Sequence, residues 1–173
     1  MFRNGSRAMT PPLNSALVAF LTSHLSIHVA ASDGNGIATL VRGLGCRIAD
    51  DEPSRVRLLM SRPQSEPVLR AVDANGRIAA VFSEPESHRT IQLKGVDARQ
   101  ESPEAADHAL LSPYIDEMSR RLKAIDTPEP FVRALLTCSP GELAVVSFTP
   151  QDLFGQTPGP KAGERLADGA GLP

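Results

Sequence analysis

Leu25-Ser26-Ile27-His28-Val29-Ala30-Ala31-Ser32-Asp33-Gly34-Asn35-Gly36-Ile37-Ala38-Thr39-Leu40-Val41-Arg42 carries the strongest local pattern in the chain. Leu25, Ile27 and Val29 alternate with Ser26, His28 and Ala30, as in a strand with one buried face. Ile37, Thr39 and Val41 alternate in the same way with Ala38, Leu40 and Arg42. Between them Asp33-Gly34-Asn35-Gly36 offers residues that tolerate positive φ, so the spacing predicts a β-hairpin.

The same reading extends along the chain. Upstream, Pro12 suits the first position of a helix carrying Leu17, Phe20 and Leu21. Arg55 to Met60 reads as a third strand with Val56, Leu58 and Met60 on one face. Ser65 suits the cap of a short helix through Val68, Leu69 and Val72, which Asn75-Gly76 ends. Ile78, Ala80 and Phe82 mark a fourth strand, and Arg89 to Asp97 a fifth. Ser112-Pro113 and Thr127-Pro128 look like helix starts, the first before Ile115, Met118, Leu122 and Ile125, the second before Phe131, Val132, Leu135 and Leu136. Leu143, Val145 and Phe148 lie in a last strand. About six strands joined by tight turns imply an antiparallel sheet. The expected class is mixed α+β, a small antiparallel split β-barrel with flanking helices.

The domain expectation is a disordered N-terminus over 1–10, one barrel domain over 11–150, and an irregular Gly/Pro-rich tail over 151–173. At 173 residues, 41% hydrophobic and 22% charged, the chain has material for a core, built on aliphatic residues because only 4% are aromatic. A net charge of -2 gives no bulk pull toward nucleic acid or an acidic membrane surface. No apolar run reaches membrane-span length, and nothing marks secretion, so a cytoplasmic location is expected. Cys46 and Cys138 are far apart and form no CxxC or Cys/His cluster, so no metal site is expected. His24 and His28 have metal-ligand spacing only on a helix, and His28 falls on a strand.

Ser87 to Gly95 is the most informative polar segment. On a strand, Thr90, Gln92 and Lys94 share one face and Ile91 and Leu93 the other. That describes a plain solvated edge as well as a ligand wall of amide and cationic donors. Val41-Arg42-Gly43-Leu44-Gly45 places a cation before two glycines, which lets a ligand approach the backbone; a strand bulge with a surface arginine reads equally well. Cys46 is either a small buried hydrophobe or a thiol whose pKa Arg42 and Arg47 lower. No Ser-His-Asp order, P-loop or paired-carboxylate motif stands out.

Asn75-Gly76-Arg77-Ile78-Ala79-Ala80-Val81-Phe82 with Arg89-Thr90-Ile91-Gln92-Leu93-Lys94-Gly95 resembles the central strand pair of the pyridoxamine 5'-phosphate oxidase-related FMN-binding split-barrel proteins. Leu40 to Arg47 resembles their flavin-contacting strand, and Phe148 to Gly163 resembles the tail of one subgroup. The resemblance implies FMN bound at a homodimer interface. Arg42 would reach the phosphate, Gly43 and Leu44 would lie beside the ring, and Arg89 and Thr90 would approach it from the side, with Gln92 and Lys94 extending that wall. The family's Ser-Arg-Lys phosphate grip falls near Glu66-Pro67-Val68, where no cation stands. Ser61-Arg62 lies upstream, and Ser61 and Gln64 are neutral helpers for the phosphate. The leading expectation is an FMN-binding oxidoreductase-like homodimer with no side chain assigned as acid or base. The alternatives are a non-catalytic binder or sensor for a flavin or another planar ligand, and a structural dimer with a degenerate pocket.

Overall fold

The computed structural model describes residues 13–166. The readings for Pro12, for 1–10 and for the last residues of the tail lie outside them. The hairpin forms as its sequence requires. Strand β1 (Ser26–Ser32) pairs antiparallel with β2 (Ala38–Arg42), with Val29 opposite Val41. Asp33 builds the turn: its carboxylate accepts from the N–H groups of Asn35 and Ile37, both at 2.9 Å, and Gly36 takes φ +79°.

Beyond the hairpin the chain bends at Gly43-Leu44 into β3 (Gly45–Ile48), then runs through β4 (Val56–Ser61), helix α2 (Arg62–Asn75), β5 (Ile78–Ser83), β6 (Thr90–Gly95) and β7 (Arg99–Glu101). Helices α3 (Ala105–Lys123) and α4 (Glu129–Leu136) follow, then β8 (Leu143–Phe148) and β9 (Asp152–Gly155). Helix α1 (Ser15–Leu21) precedes β1, and the Asn14 side chain caps it by accepting from the N–H of Ala16 at 2.8 Å. The strands form two antiparallel sheets, one ordered β2-β1-β5-β6-β9 and the other β3-β4-β8-β7. This is a mixed α+β, split-barrel arrangement with flanking helices. Its core is one continuous cluster in which Ile27, Val29, Phe82, Ile91 and Leu93 of the first sheet join Leu58, Met60, Val146 and Phe148 of the second.

Three strands exceed the sequence reading: β3, β7 and β9, of 4, 3 and 4 residues. Segments that short carry too little alternation to register against a turn background. The tail is therefore not irregular from Pro150 onward, because β9 pairs with β6. Two helix starts also move. Helix α2 begins at Arg62, and Ser65 is not its cap: it is fully buried inside the helix, donating to the Ser61 carbonyl at 2.8 Å. Its end at Gly76, φ +67°, is as read. Helix α3 begins at Ala105, so Pro113 lies in its interior. The early start is held by Asp107, which accepts from the Glu104 N–H at 2.8 Å and from Arg47 and Arg57.

No helix among the described residues is long and apolar enough to cross a membrane.

Candidate ligand-binding face

The five-stranded sheet has a core face and a second face whose side chains are half-buried or, at Ala38, Leu40 and Lys94, exposed. Along β1 the second face carries Ser26, His28, Ala30 and Ser32, alternating with buried Ile27, Val29 and Ala31. Strand register then sets rows across the sheet. One row reads Arg42, His28, Val81, Gln92, Phe154, and the next reads Leu40, Ala30, Ala79, Lys94, Asp152. A shorter row joins Ser26, Ser83 and Thr90. At about 4.8 Å between strands, the first row spans roughly 19 Å from Arg42 to Phe154. Across the two long rows the centre is lined by Val81, Ala30 and Ala79, small side chains that keep the surface shallow.

Among the described residues nine arginines pair with a carboxylate, and Arg42, Arg62, Arg77 and Arg89 do not. Arg47, Arg55, Arg57, Arg99, Arg121 and Arg133 each meet at least one carboxylate. Arg42 meets none among the described residues; its Nη1 donates to Ser26 Oγ at 3.2 Å. Lys94 Nζ lies 4.8 Å from the centre of the Phe154 ring. Asp152, the carboxylate nearest to it in register, is held by Arg165. Beside Arg42, His28 has its pKa lowered, first by burial and then by the arginine's positive charge. Its imidazole is therefore neutral near pH 7 and offers one donor and one acceptor.

Of the residues singled out from sequence, the structure brings Arg42, Thr90, Gln92 and Lys94 onto this face. Thr90 is partly committed, its Oγ1 lying 3.0 Å from Ser83 Oγ and 2.9 Å from the His88 carbonyl. Gly43 and Leu44 are not on the face. Leu44 is 3% exposed, and a Cβ on Gly43 would lie 2.7 Å from Ile27 Cγ2. Their N–H groups are spent on Ile27 and Leu59 carbonyls, so the pair is the corner that carries the chain from one sheet to the other. Arg89 lies just before β6, its guanidinium 4.6 Å from the centre of the Phe20 ring of α1. Ser61 is buried at the end of β4, and Gln64 is exposed on α2. Arg62 donates to Gln100 of β7 at 3.3 Å and lines a groove with Glu66, Asp73 and Glu142, none of them on the five-stranded sheet.

Cys46 settles the other way from an activated thiol. It is fully buried, and desolvation pushes its pKa far up, so it is a core residue. Both cysteines are free. His24 stands outside β1 with φ +56°, edge-on to Tyr114 with ring centres 6.0 Å apart.

Sequence reasoning missed His28 and Phe154 as members of the face. His28 was legible: once the turn at Asp33 to Gly36 is set, counting outward puts it opposite Arg42. Phe154 was not, because the segment carrying it reads as a loop.

No family model matches the chain, and no curated protein matches it. Among solved structures, the HupZ protein of Group A Streptococcus superposes with a TM-score of 0.52 at 15% identity, covering 87% of this chain and 100% of that one. A candidate pyridoxamine 5'-phosphate oxidase of Lactobacillus delbrueckii superposes with a TM-score of 0.50 at 14% identity, covering 84% of this chain and 96% of that one. At these identities the likeness is one of fold. Together with the two antiparallel sheets and their flanking helices, it gives the chain the split-barrel fold of the pyridoxamine 5'-phosphate oxidase-related proteins.

Proposed function

We propose that the protein binds a planar, anionic ligand on the outer face of the five-stranded sheet, with FMN the leading candidate and a second copy of the chain completing the site. The observation that carries this reading is Arg42: a half-buried guanidinium without a carboxylate partner, at one end of a flat row that continues through His28 and Gln92. A phosphate needs charge-assisted donors, and an arginine with free N–H groups supplies them in a fork. Gln92 has the donor and acceptor that a pyrimidine edge pairs with. Lys94 adds positive charge without adding a competing anion.

Bound flavin would supply the electron-transfer chemistry, and the chain would orient the ring and shield one side of it. The donors and acceptors named above account for holding a flavin without any side chain being assigned as acid or base. A binding or sensing role therefore fits these residues more simply than an oxidoreductase does. The two free thiols suit a reducing compartment such as the cytoplasm.

The test is titration of FMN into the purified protein by fluorescence quenching, with mass by light scattering on the same sample. Saturable binding with a dimer mass supports the reading, and subsequent reduction of bound FMN by a nicotinamide nucleotide would promote it to an oxidoreductase. Absence of FMN binding would leave a structural dimer as the better description. A flavin-loaded monomer would remove the second copy.

A further inference from the structure

Strand β9 and the chain that follows it were read from sequence as a tail without regular structure, and they are instead built into the edge of the sheet that carries the candidate site. Leu153 enters the core opposite Leu93. Thr157 clips the segment to β6: its Oγ1 accepts from the Thr90 N–H at 3.0 Å, and the Gln156 N–H donates to the Thr90 carbonyl at 2.8 Å. The chain then doubles back. The Gly163 N–H reaches the Gly155 carbonyl at 2.7 Å, the Leu166 N–H reaches Leu153 at 2.8 Å, and Arg165 pairs with Asp152. Gly163, at φ +92°, permits the reversal. The result is a latched hairpin from Asp152 to Leu166.

This hairpin gives the face its aromatic ring. Among the described residues Phe20, Phe82, Tyr114 and Phe148 are buried, and Phe131 is on α4. Of the described phenylalanines and the tyrosine, Phe154 alone lies on the outer face, half-buried, directly opposite Gln92, with the Lys94 ammonium over its ring. The half-buried ring keeps part of its surface exposed, and the ammonium marks the side that a ligand's ring would share or take over. Next to it the Gln156 amide lies 3.4 Å from Gln92 Oε1, so a second amide borders the same spot.

We infer that the C-terminal hairpin is a wall of the ligand site and that Phe154 is the surface against which the ligand's aromatic ring packs. The inference rests on the proposed function and gives it a polarity. The ring lies toward β9 at Phe154, Gln92 and Gln156, and the anionic arm lies toward β2 at Arg42, roughly 19 Å away across the sheet. The ligand class is thus an aromatic ring system bearing an anionic arm long enough to cross several strands.

The two ends make different demands, which a pair of probes separates. Phe154→Ala should weaken FMN and riboflavin alike, by about fivefold or more, since both carry the ring. Phe154→Tyr, which keeps the ring, should restore both. Phe154→Leu, which keeps an apolar side chain on β9, should behave like the alanine variant and so separates loss of stacking from loss of the strand. Urea midpoints of all three check that the sheet edge survives. Wild-type affinity for both flavins in Phe154→Ala would overturn the inference while leaving the site itself standing, as would equal binding by the leucine and tyrosine variants. Failure of the wild type to bind either flavin would overturn the proposed function, and this inference with it.

Discussion

Two pairs of cationic side chains in this protein are treated in opposite ways. Under the start of α3, Arg47 and Arg57 converge on Asp107, which is fully buried, with Glu101 and Glu104 completing the cluster. Arg57 is 3% exposed, and its Nη2 lies 2.7 Å from Asp107 Oδ2. On the outer face of the five-stranded sheet, Arg42 has a hydroxyl and no carboxylate, and Lys94 has an aromatic ring. The first group spends its charge internally and joins a helix to two strands. The second leaves its charge uncompensated where a ligand can reach it. A neutralised cluster belongs to the fold, and unneutralised cations on a flat sheet face are what an anion selects.

Breaking the closed cluster should produce the largest effect. Asp107→Asn leaves two guanidiniums around a group that no longer carries charge, and removing one member of a buried ion pair costs about 3–5 kcal/mol. Urea unfolding near pH 7 measures it; a loss below about 1 kcal/mol would mean that the cluster behaves as surface charge. The effect has a pH signature. Burial by itself would raise the Asp107 pKa, but the hydrogen bonds from Arg57, Arg47 and the Glu104 N–H outweigh it and hold the carboxyl below its ordinary 3.8. The stability it contributes is therefore full above that value and is lost as pH falls through the lower, folded value. Wild type and Asp107→Asn should converge in strong acid.

The open face should answer to a different assay. Arg42→Ala is expected to change unfolding stability by only about 0.5 kcal/mol. It should weaken FMN binding by roughly ten- to a hundredfold, the equivalent of about 1.5–3 kcal/mol for hydrogen bonds to a charged group. Riboflavin, without the phosphate, should bind the variant as it binds wild type. Equal losses for the two flavins would place Arg42 at the ring instead.

Gly43 lies at the corner between the two sheets and sharpens the contrast further. Gly43→Ala puts a methyl against Ile27 and should destabilise the protein by about 1–3 kcal/mol. Flavin affinity of the folded fraction should stay unchanged; a selective loss of affinity would return Gly43 to the ligand.

The smallest expected effect is at His28. Its folded pKa lies below the unfolded 6.5, so the unfolded chain takes up the proton first. Stability is level above about pH 6.5 and declines as pH falls below it, toward the folded pKa. His28→Gln should flatten that decline, read as urea midpoints at two pH values either side of 6.5. A steeper decline in the variant would reverse the assignment.

The hairpin was legible in its first strand, its turn and its register, because a period of two on both sides of a turn determines which side chains share a face; Ile37, read as a strand residue, lies outside β2 and is 62% exposed. Gly76 ended α2 as read, since αL geometry at a helix end is a local requirement. Thr90, Gln92 and Lys94 were likewise assigned one face of a strand by alternation alone. What alternation could not do was choose between a solvated edge and a ligand wall. The pairing of β1 with β2 and β5 puts Arg42 and His28 in line with Gln92, a juxtaposition of segments distant in sequence on which the proposed site rests.

The misread elements share one cause. Pro113 looked like a helix start because proline suits that position, yet α3 begins earlier, where Asp107 meets two arginines from β3 and β4. Arg89 read as a residue beside the flavin ring, and its guanidinium packs on Phe20 of a helix far upstream. Asp152 to Gly155 looked like loop and becomes a strand because β6 presents an open edge and the following residues fold back to cover it. Local sequence determined periodicity, turns and the polar face of each strand. Only the tertiary structure decided which charges were neutralised, which edge the tail completed and which ring came to lie opposite Gln92, because each of those outcomes depends on a partner that the chain supplies from elsewhere.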